Sequence, residues 1–278
     1  MPGARSGLMS EQNGIGAVLD HVAVAAERAG DLWPRYAGEL GGEWLGGGET
    51  AGFYSAQVVY SNGMKLEGLE PRRVDENDFL RRFLDHSGPG PHHLTFKVPD
   101  LTAAIAATEA AGFPLVGVSL ADPRWKEAFV HPKAACGIVV QLAQSDGEWE
   151  YEPRPDDLPA PRTAPARLDH VTHAVADLGQ ARALFQDLLG GVVEADEADE
   201  GRAWVDLAWP SGGVVRLETP IDAGPLRDWI GDRPGRFHHL AFTAARPHEL
   251  AGAVLADDGT VEVPAEANLG VRLLVSPG

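Results

Sequence analysis

The stretch "PHHLTFKV" (residues 91–98) carries two adjacent histidines into an alternating apolar run. Apolar residues at every second position are typical of a half-buried β-strand. Nearly the same string returns late in the chain as "GRFHHLAFT" (residues 235–243). A strand signal that is written twice, with the same histidine pair, indicates that a larger unit has been duplicated.

Other landmarks recur in the same order around this stretch. "LDHVAVA" (19–25) returns as "LDHVTHAVADL" (168–178), and "MKLEGLEP" (64–71) returns as "VVRLETP" (214–220). Between the copies lies an acidic, proline-rich segment without apolar periodicity, which is typical of a linker. The sequence therefore predicts four parts: a flexible tail at 1–16, a first domain at 17–145, a linker at 146–167 and a second domain at 168–278.

Each copy divides again into two units of one strand, one helix and three strands. A helix is predicted over residues 27–40, Asn62-Gly63 marks a hairpin turn, and Asp100 and Asp177 precede helical patterns as N-caps. The predicted fold class is α+β, with two tandem domains that are each built of two βαβββ units. If paired units pack with pseudo-twofold symmetry, each domain forms one cupped mixed sheet.

Composition excludes several classes of function. A formal net charge of −18 argues against binding to nucleic acid or to anionic membrane surfaces. The chain has no apolar run of about 18 residues and no secretory signal, so we expect a cytoplasmic protein. The single cysteine, Cys136, forms no internal disulfide, and no glycine-rich phosphate loop indicates a nucleotide cofactor. We expect a small-molecule substrate and a monomer or homodimer.

Polar residues inside otherwise apolar strands need partners, and in the first copy they form one set. His21, Glu67, His93 and Gln141 each come from a different predicted strand, at the beginning or end of a unit. Packing of the two units brings these four side chains toward one cup. Imidazole and carboxylate groups together suit Zn, Ni, Co, Mn or Fe(II), so the set predicts a divalent-metal site.

The second copy offers a shorter candidate set, His170, Glu218 and His239. Its fourth position, counted from Gly270 as Gln141 is counted from Gly137, is Leu274, which cannot bind a metal. We therefore expect the metal site in the first domain and a degenerate site in the second.

These motifs, together with "FVHPKAACGIVVQLAQ" (129–144), resemble those of the vicinal oxygen chelate superfamily. That superfamily includes glyoxalase I, methylmalonyl-CoA epimerase, bleomycin-resistance proteins and type I extradiol dioxygenases. The first copy is most similar to the epimerase branch. The resemblance implies two glyoxalase-like domains, with metal ligands at the four positions named above. Glu67 replaces a usual Gln of the epimerases and Gln141 a usual Glu, which argues against simple epimerase activity.

The residues and the resemblance together predict a metal-dependent isomerase, epimerase or lyase. Such an enzyme stabilises an enolate or enediolate during proton transfer on a small α-oxygenated carbonyl or thioester. Glu67 is the candidate catalytic base. Two alternatives stay open: an Fe(II) extradiol-type ring-cleaving dioxygenase, centred on the second domain, and a non-enzymatic resistance protein that sequesters a ligand. His92 and His238 are expected to face away from the cup, because side chains alternate along a strand.

Overall fold

The computed structural model describes residues 14–145, 152–256 and 258–278. The predicted tail and linker thus fall partly outside the described residues, at 1–13 and 146–151. Within the described ranges the chain forms two eight-stranded mixed sheets with the same strand order, as the repeat predicts. The predicted α+β class is confirmed.

The first sheet has the order β2-β3-β4-β1-β5-β8-β7-β6. Its two central strands, β1 and β5, are antiparallel, and each pairs in parallel with the last strand of its own unit. This pairing gives the sheet its pseudo-twofold symmetry. Its strands are β1 Val18–Ala25, β2 Glu43–Thr50, β3 Phe53–Val59, β4 Lys65–Pro71, β5 Gly90–Lys97, β6 Leu115–Asp122, β7 Trp125–Val130 and β8 Val139–Gln144.

The second sheet repeats this order as β10-β11-β12-β9-β13-β16-β15-β14. Its last unit is the most reduced, because its edge strands are only two and three residues long. Its strands are β9 Arg167–Val175, β10 Val192–Ala198, β11 Arg202–Ala208, β12 Val214–Pro220, β13 Gly235–Ala244, β14 Val254–Leu255, β15 Val261–Val263 and β16 Leu273–Pro277.

The helices differ in regularity from unit to unit. They are α1 Phe79–Ser87, α2 Leu101–Ala110, α3 Leu178–Arg182 and α4 Pro225–Ile230. Asp100 and Asp177 cap α2 and α3 as predicted, each accepting a hydrogen bond from a backbone N–H three residues on. The helix predicted over 27–40 is instead a 3₁₀ turn (Ala29–Asp31) followed by a π-helical segment that begins at Pro34. In the last unit the helical elements of the described residues are two 3₁₀ turns, Pro247–Glu249 and Ala265–Ala267.

The two sheets pack against each other through one shared apolar core. The ring centroids of Tyr60 and Phe242, one from each copy, lie 5.1 Å apart. His173 is fully buried in this contact, and its Nε2 donates to the carbonyl of Cys136 over 2.7 Å. No helix among the described residues is long and apolar enough to cross a membrane.

Close backbone approaches between the copies require glycine at two equivalent positions. A Cβ atom on Gly137 would lie 2.0 Å from the carbonyl oxygen of Gly235. A Cβ atom on Gly270 would lie 1.9 Å from the carbonyl oxygen of Pro89. Both glycines have positive φ, 91° and 80°, which favours glycine independently of the contact.

Candidate metal centre

Three of the four predicted ligands of the first copy come together on one face of the first sheet. They lie on the adjacent strands β4, β1 and β5, and we call this face the first cup. His21 Nε2 is 3.3 Å and His93 Nε2 is 3.7 Å from the same carboxylate oxygen, Glu67 Oε2. All three residues are buried, and their ligand atoms lie within 4.8 Å of one another.

The two imidazole nitrogens that face Glu67 have no hydrogen-bond partner. His21 Nε2 and His93 Nε2 are both buried and unsatisfied in the described part of the chain. A buried nitrogen without a partner costs about 1–3 kcal/mol, so two of them converging on one carboxylate need a further group. A divalent cation satisfies both lone pairs and the carboxylate charge at once, so the residues present fit a metal.

Outer hydrogen bonds orient the cluster. His21 Nδ1 is 2.8 Å from Asp20 Oδ2, whose other oxygen accepts from Lys65 Nζ over 2.7 Å. Gln57 Nε2 donates to Glu67 Oε1 over 3.1 Å, which leaves Oε2 for the two histidines. A carboxylate behind a histidine fixes its tautomer and raises its basicity, as in many metal sites.

Electrostatics within the cluster favour one added positive charge. Burial alone would lower the pKa of His21, but the charge of Glu67 and the hydrogen bond that His21 donates to Asp20 raise it to about 9. Burial, followed by the charges of His92 and His21, holds the pKa of His93 well below its ordinary value. The pocket therefore accommodates one cation, either a proton on His21 or a metal ion.

Both "HH" pairs lie at β-bulges, which the sequence reading missed. In the pairing of β5 with β1 the register skips His92, and in the pairing of β13 with β9 it skips His238. A bulge re-aims the extra side chain, so the prediction that His92 and His238 face away from the cup was wrong. His92 Nδ1 lies 2.7 Å from His93 Nδ1, and its ring packs on Phe83 with centroids 4.7 Å apart.

Gln141 is buried beside the cluster, but its amide makes other contacts. Its Oε1 accepts from Thr95 Oγ1 over 2.6 Å, and its Nε2 donates to Glu127 Oε2 over 2.8 Å. Trp125 Nε1 donates to the same carboxylate oxygen over 2.8 Å. Burial, and then the charge of Glu67, raises the pKa of Glu127. Sequence reasoning missed Glu127. Phe129 pairs with Gln141, and Glu127 lies two residues before Phe129 in β7, so the two share a face of the sheet.

The second copy differs at the position of the carboxylate ligand. In the first sheet Glu67 pairs with Ala23, whereas in the second sheet Arg216 pairs with Thr172. Arg216 is therefore the structural counterpart of Glu67, and its guanidinium forms two 2.7 Å hydrogen bonds with a carboxylate on β11, Asp206. The predicted equivalence of Leu274 and Gln141 is confirmed by the strand pairing. Leu274 pairs with Ala241 in the second sheet as Gln141 pairs with Thr95 in the first.

A hydroxyl group joins the histidines of the second copy. Thr172 Oγ1 lies 2.9 Å from His170 Nδ1 and 3.1 Å from His239 Nε2. The equivalent residue of the first copy is Ala23, whose methyl group offers no hydrogen bond. The hydroxyl therefore holds the two rings of the second copy where the first copy leaves two nitrogens unsatisfied.

Glu218 belongs to a separate ion-pair network in the second cup, the equivalent face of the second sheet. Its ligand atoms lie within 4.8 Å of His238 and His239 rather than beside His170. His238 Nδ1 hydrogen-bonds one carboxylate oxygen, and Arg202 Nη1 donates to the other over 2.8 Å. Arg272 Nη1 lies 2.8 Å from the remaining nitrogen of His238. Arg202 thus already pairs with this carboxylate, and Arg272 adds positive charge on the far side of His238, so the network opposes a metal ion.

A family model described as "Glyoxalase/Bleomycin resistance protein/Dioxygenase superfamily" matches residues 20–129. The matched residues all lie within the first copy. The matched range includes all three clustered ligands. His21 and Glu67 lie in the first unit, and His93 lies in the second. The range ends before Gln141 and does not reach the second copy.

Two curated proteins are similar to parts of this chain. The uncharacterized protein YqjC of Bacillus subtilis is 28% identical over 141 residues, which are 48% of this chain and 96% of that protein. An ethylmalonyl-CoA/methylmalonyl-CoA epimerase of Cereibacter sphaeroides is 32% identical over 79 residues, 27% of this chain and 59% of that protein.

One solved structure is similar across both copies. A mutant of 4-hydroxymandelate synthase from Streptomyces coelicolor superposes with a TM-score of 0.60, covering 95% of this chain and 94% of that chain. Its sequence is 13% identical, so this likeness shows the tandem fold and carries no information on the reaction.

Proposed function

We propose that the first cup binds a divalent metal ion through His21, Glu67 and His93 and catalyses proton transfer beside a carbonyl group. The substrate class is a small α-oxygenated carbonyl or thioester, and the reaction is an isomerisation, epimerisation or lyase step. The observation that carries this proposal is the pair of unsatisfied histidine nitrogens that converge on Glu67 Oε2. The match of residues 20–129 to the superfamily model and an epimerase among the relatives support it.

The residues of the cluster divide the work between holding a cation and moving a proton. When bound, a divalent ion supplies Lewis-acid stabilisation of the negative charge that develops on the substrate oxygen. His21, fixed by Asp20, and His93 hold the site. Glu67 Oε2 is the oxygen that accepts the substrate proton, while Gln57 retains the other carboxylate oxygen by its hydrogen bond.

The two alternative functions have less support. An Fe(II) dioxygenase centred on the second cup needs open metal ligands there, but Thr172 joins the two histidines and Arg216 replaces the carboxylate. A purely sequestering protein has no need of a buried His-Glu-His cluster. The contacts within each cup therefore favour a metal-dependent enzyme acting in the first.

Glu67→Gln tests the role of the base. The amide retains an oxygen donor but cannot take up the proton, so exchange of the substrate α-proton should fall by about 10² to 10⁴-fold while metal remains bound. Exchange is followed by NMR in D₂O, using metal-loaded protein with a panel of hydroxyketones and acyl thioesters.

The control for this measurement is Glu218→Gln, which removes a buried carboxylate charge from the second cup instead of the first. We expect wild-type exchange rates from it. Unchanged exchange in Glu67→Gln would show that another group moves the proton and would remove Glu67 from this role.

A further inference from the structure

One lysine, Lys97, lies on the same face of β5 as the metal cluster, at the end of the strand. His93, Thr95 and Lys97 occupy alternate positions of this strand, and alternate residues share a face. Lys97 Nζ lies over the indole ring of Trp125, 5.1 Å from its centroid. The first cup therefore has a cationic end, roughly 13 Å along the strand from the Cα atom of His93.

The charges around Lys97 leave its ammonium group available. Its neighbour Lys65 is already paired with Asp20, at 2.7 Å. Glu127 accepts hydrogen bonds from Trp125 and Gln141. Among the residues that the structure describes, no carboxylate lies within ion-pair distance of Lys97. Lys65, Asp20 and Lys97 together carry one net positive charge.

We propose that Lys97, supported by the face of Trp125, binds a carboxylate at the distal end of the substrate whose α-oxygenated end lies at the His21–Glu67–His93 cluster. This inference rests on the proposed function, and it narrows the substrate class to acids that carry a second, distal carboxylate. A half-buried ammonium beside an aromatic ring gives a stronger ion pair than an exposed one, because less water screens it.

The second cup has no lysine at the position equivalent to Lys97. Thr243 is the counterpart of Lys97, since Thr243 pairs with Arg167 as Lys97 pairs with Val18. Its hydroxyl donates to Asp169 over 2.8 Å. The first cup, which has the unsatisfied ligand cluster, therefore has a lysine at this position. The second cup has an uncharged threonine there.

Two five-carbon acids that differ only at the distal end test the proposal. 2-Oxoglutarate and 2-oxovalerate share the same α-oxo acid group, and only the first has a distal carboxylate. We expect the zinc-loaded wild-type chain to bind 2-oxoglutarate about 10- to 100-fold more tightly by calorimetry. Lys97→Met should remove this preference without changing the affinity for 2-oxovalerate, and Lys97→Arg should retain most of it.

Lys126→Met is the matched control, because Lys126 is the next residue along β7 from Trp125 and so projects from the other face of the sheet. It should keep the preference. Equal affinity of the wild type for the two acids, or an unchanged preference in Lys97→Met, would overturn the proposal. Metal content, measured on the same samples, separates the two claims. A chain that takes up no metal contradicts the proposed function, and the preference of the metal-free chain then decides the role of Lys97.

Discussion

Ala23→Thr should abolish metal binding in the first cup, with affinity lowered by at least about 100-fold. Ala23 faces His93 across the sheet, at the position that Thr172 occupies beside His239. In the second cup that threonine hydroxyl lies at hydrogen-bond distance from both histidines. The substitution should place the same hydroxyl between the rings of His21 and His93. Metal affinity is measured by competition with a chromophoric chelator.

Ala23→Val is the control for this experiment, because valine has the shape of threonine without the hydroxyl group. Both variants overpack a fully buried site and should lose about 1–3 kcal/mol of folding free energy. Only the threonine variant should lose its metal. Equal metal affinity in the two variants would show that the hydroxyl is not what distinguishes the cups.

Gly137→Ala should lower the free energy of unfolding by about 3 kcal/mol and the melting temperature by roughly 5–10 °C. A methyl group there would lie 2.0 Å from a carbonyl oxygen of the other copy, so the two sheets must separate locally. The positive φ of 91° adds about 1 kcal/mol of backbone strain. Thermal and urea unfolding measure the loss.

Gly112→Ala is the control that measures the cost of backbone strain without a steric clash. Gly112 has a similar φ of 85°, but a Cβ atom there would meet no atom within 4 Å. Its loss should stay near 1 kcal/mol. If the two variants were equally stable, the close approach between the copies would contribute nothing to the stability of the chain.

The fold and the main cluster follow from the sequence because the signals are local and repeated. Alternating apolar residues predict the strands, and the recurring order of motifs predicts two equivalent sheets. His21, Glu67 and His93 were identified as polar residues at the same places in successive units. Their convergence then follows from pseudo-twofold packing, which brings β4, β1 and β5 side by side.

Register and bulges were not predictable in the same way. Matching "KLE" with "RLE" aligned Glu218 with Glu67, but the hairpin turns at Gly63 and Gly212 place Arg216 there instead. The bulges at the histidine pairs depend on pairing with a distant strand, so strict alternation gave the wrong face for His92. Such features are set by long-range hydrogen bonds that no local pattern records.

Two charged side chains that line the cup were also missed. In the sequence, Glu127 and Lys97 look like solvent-exposed residues of a strand, because polar residues at every second position are typical of a solvated face. Only the packing of β7 beside β8 brings Glu127 to Gln141, and only the curl of the sheet brings Trp125 under Lys97.

The most direct test of the account is the metal content of three proteins: the wild type, His93→Ala and His239→Ala, measured by elemental mass spectrometry. We predict one divalent metal ion per chain in the wild type and in His239→Ala, and none in His93→Ala. Metal that disappears only with His239→Ala, or two metal ions per wild-type chain, would contradict the assignment of the site to the first cup.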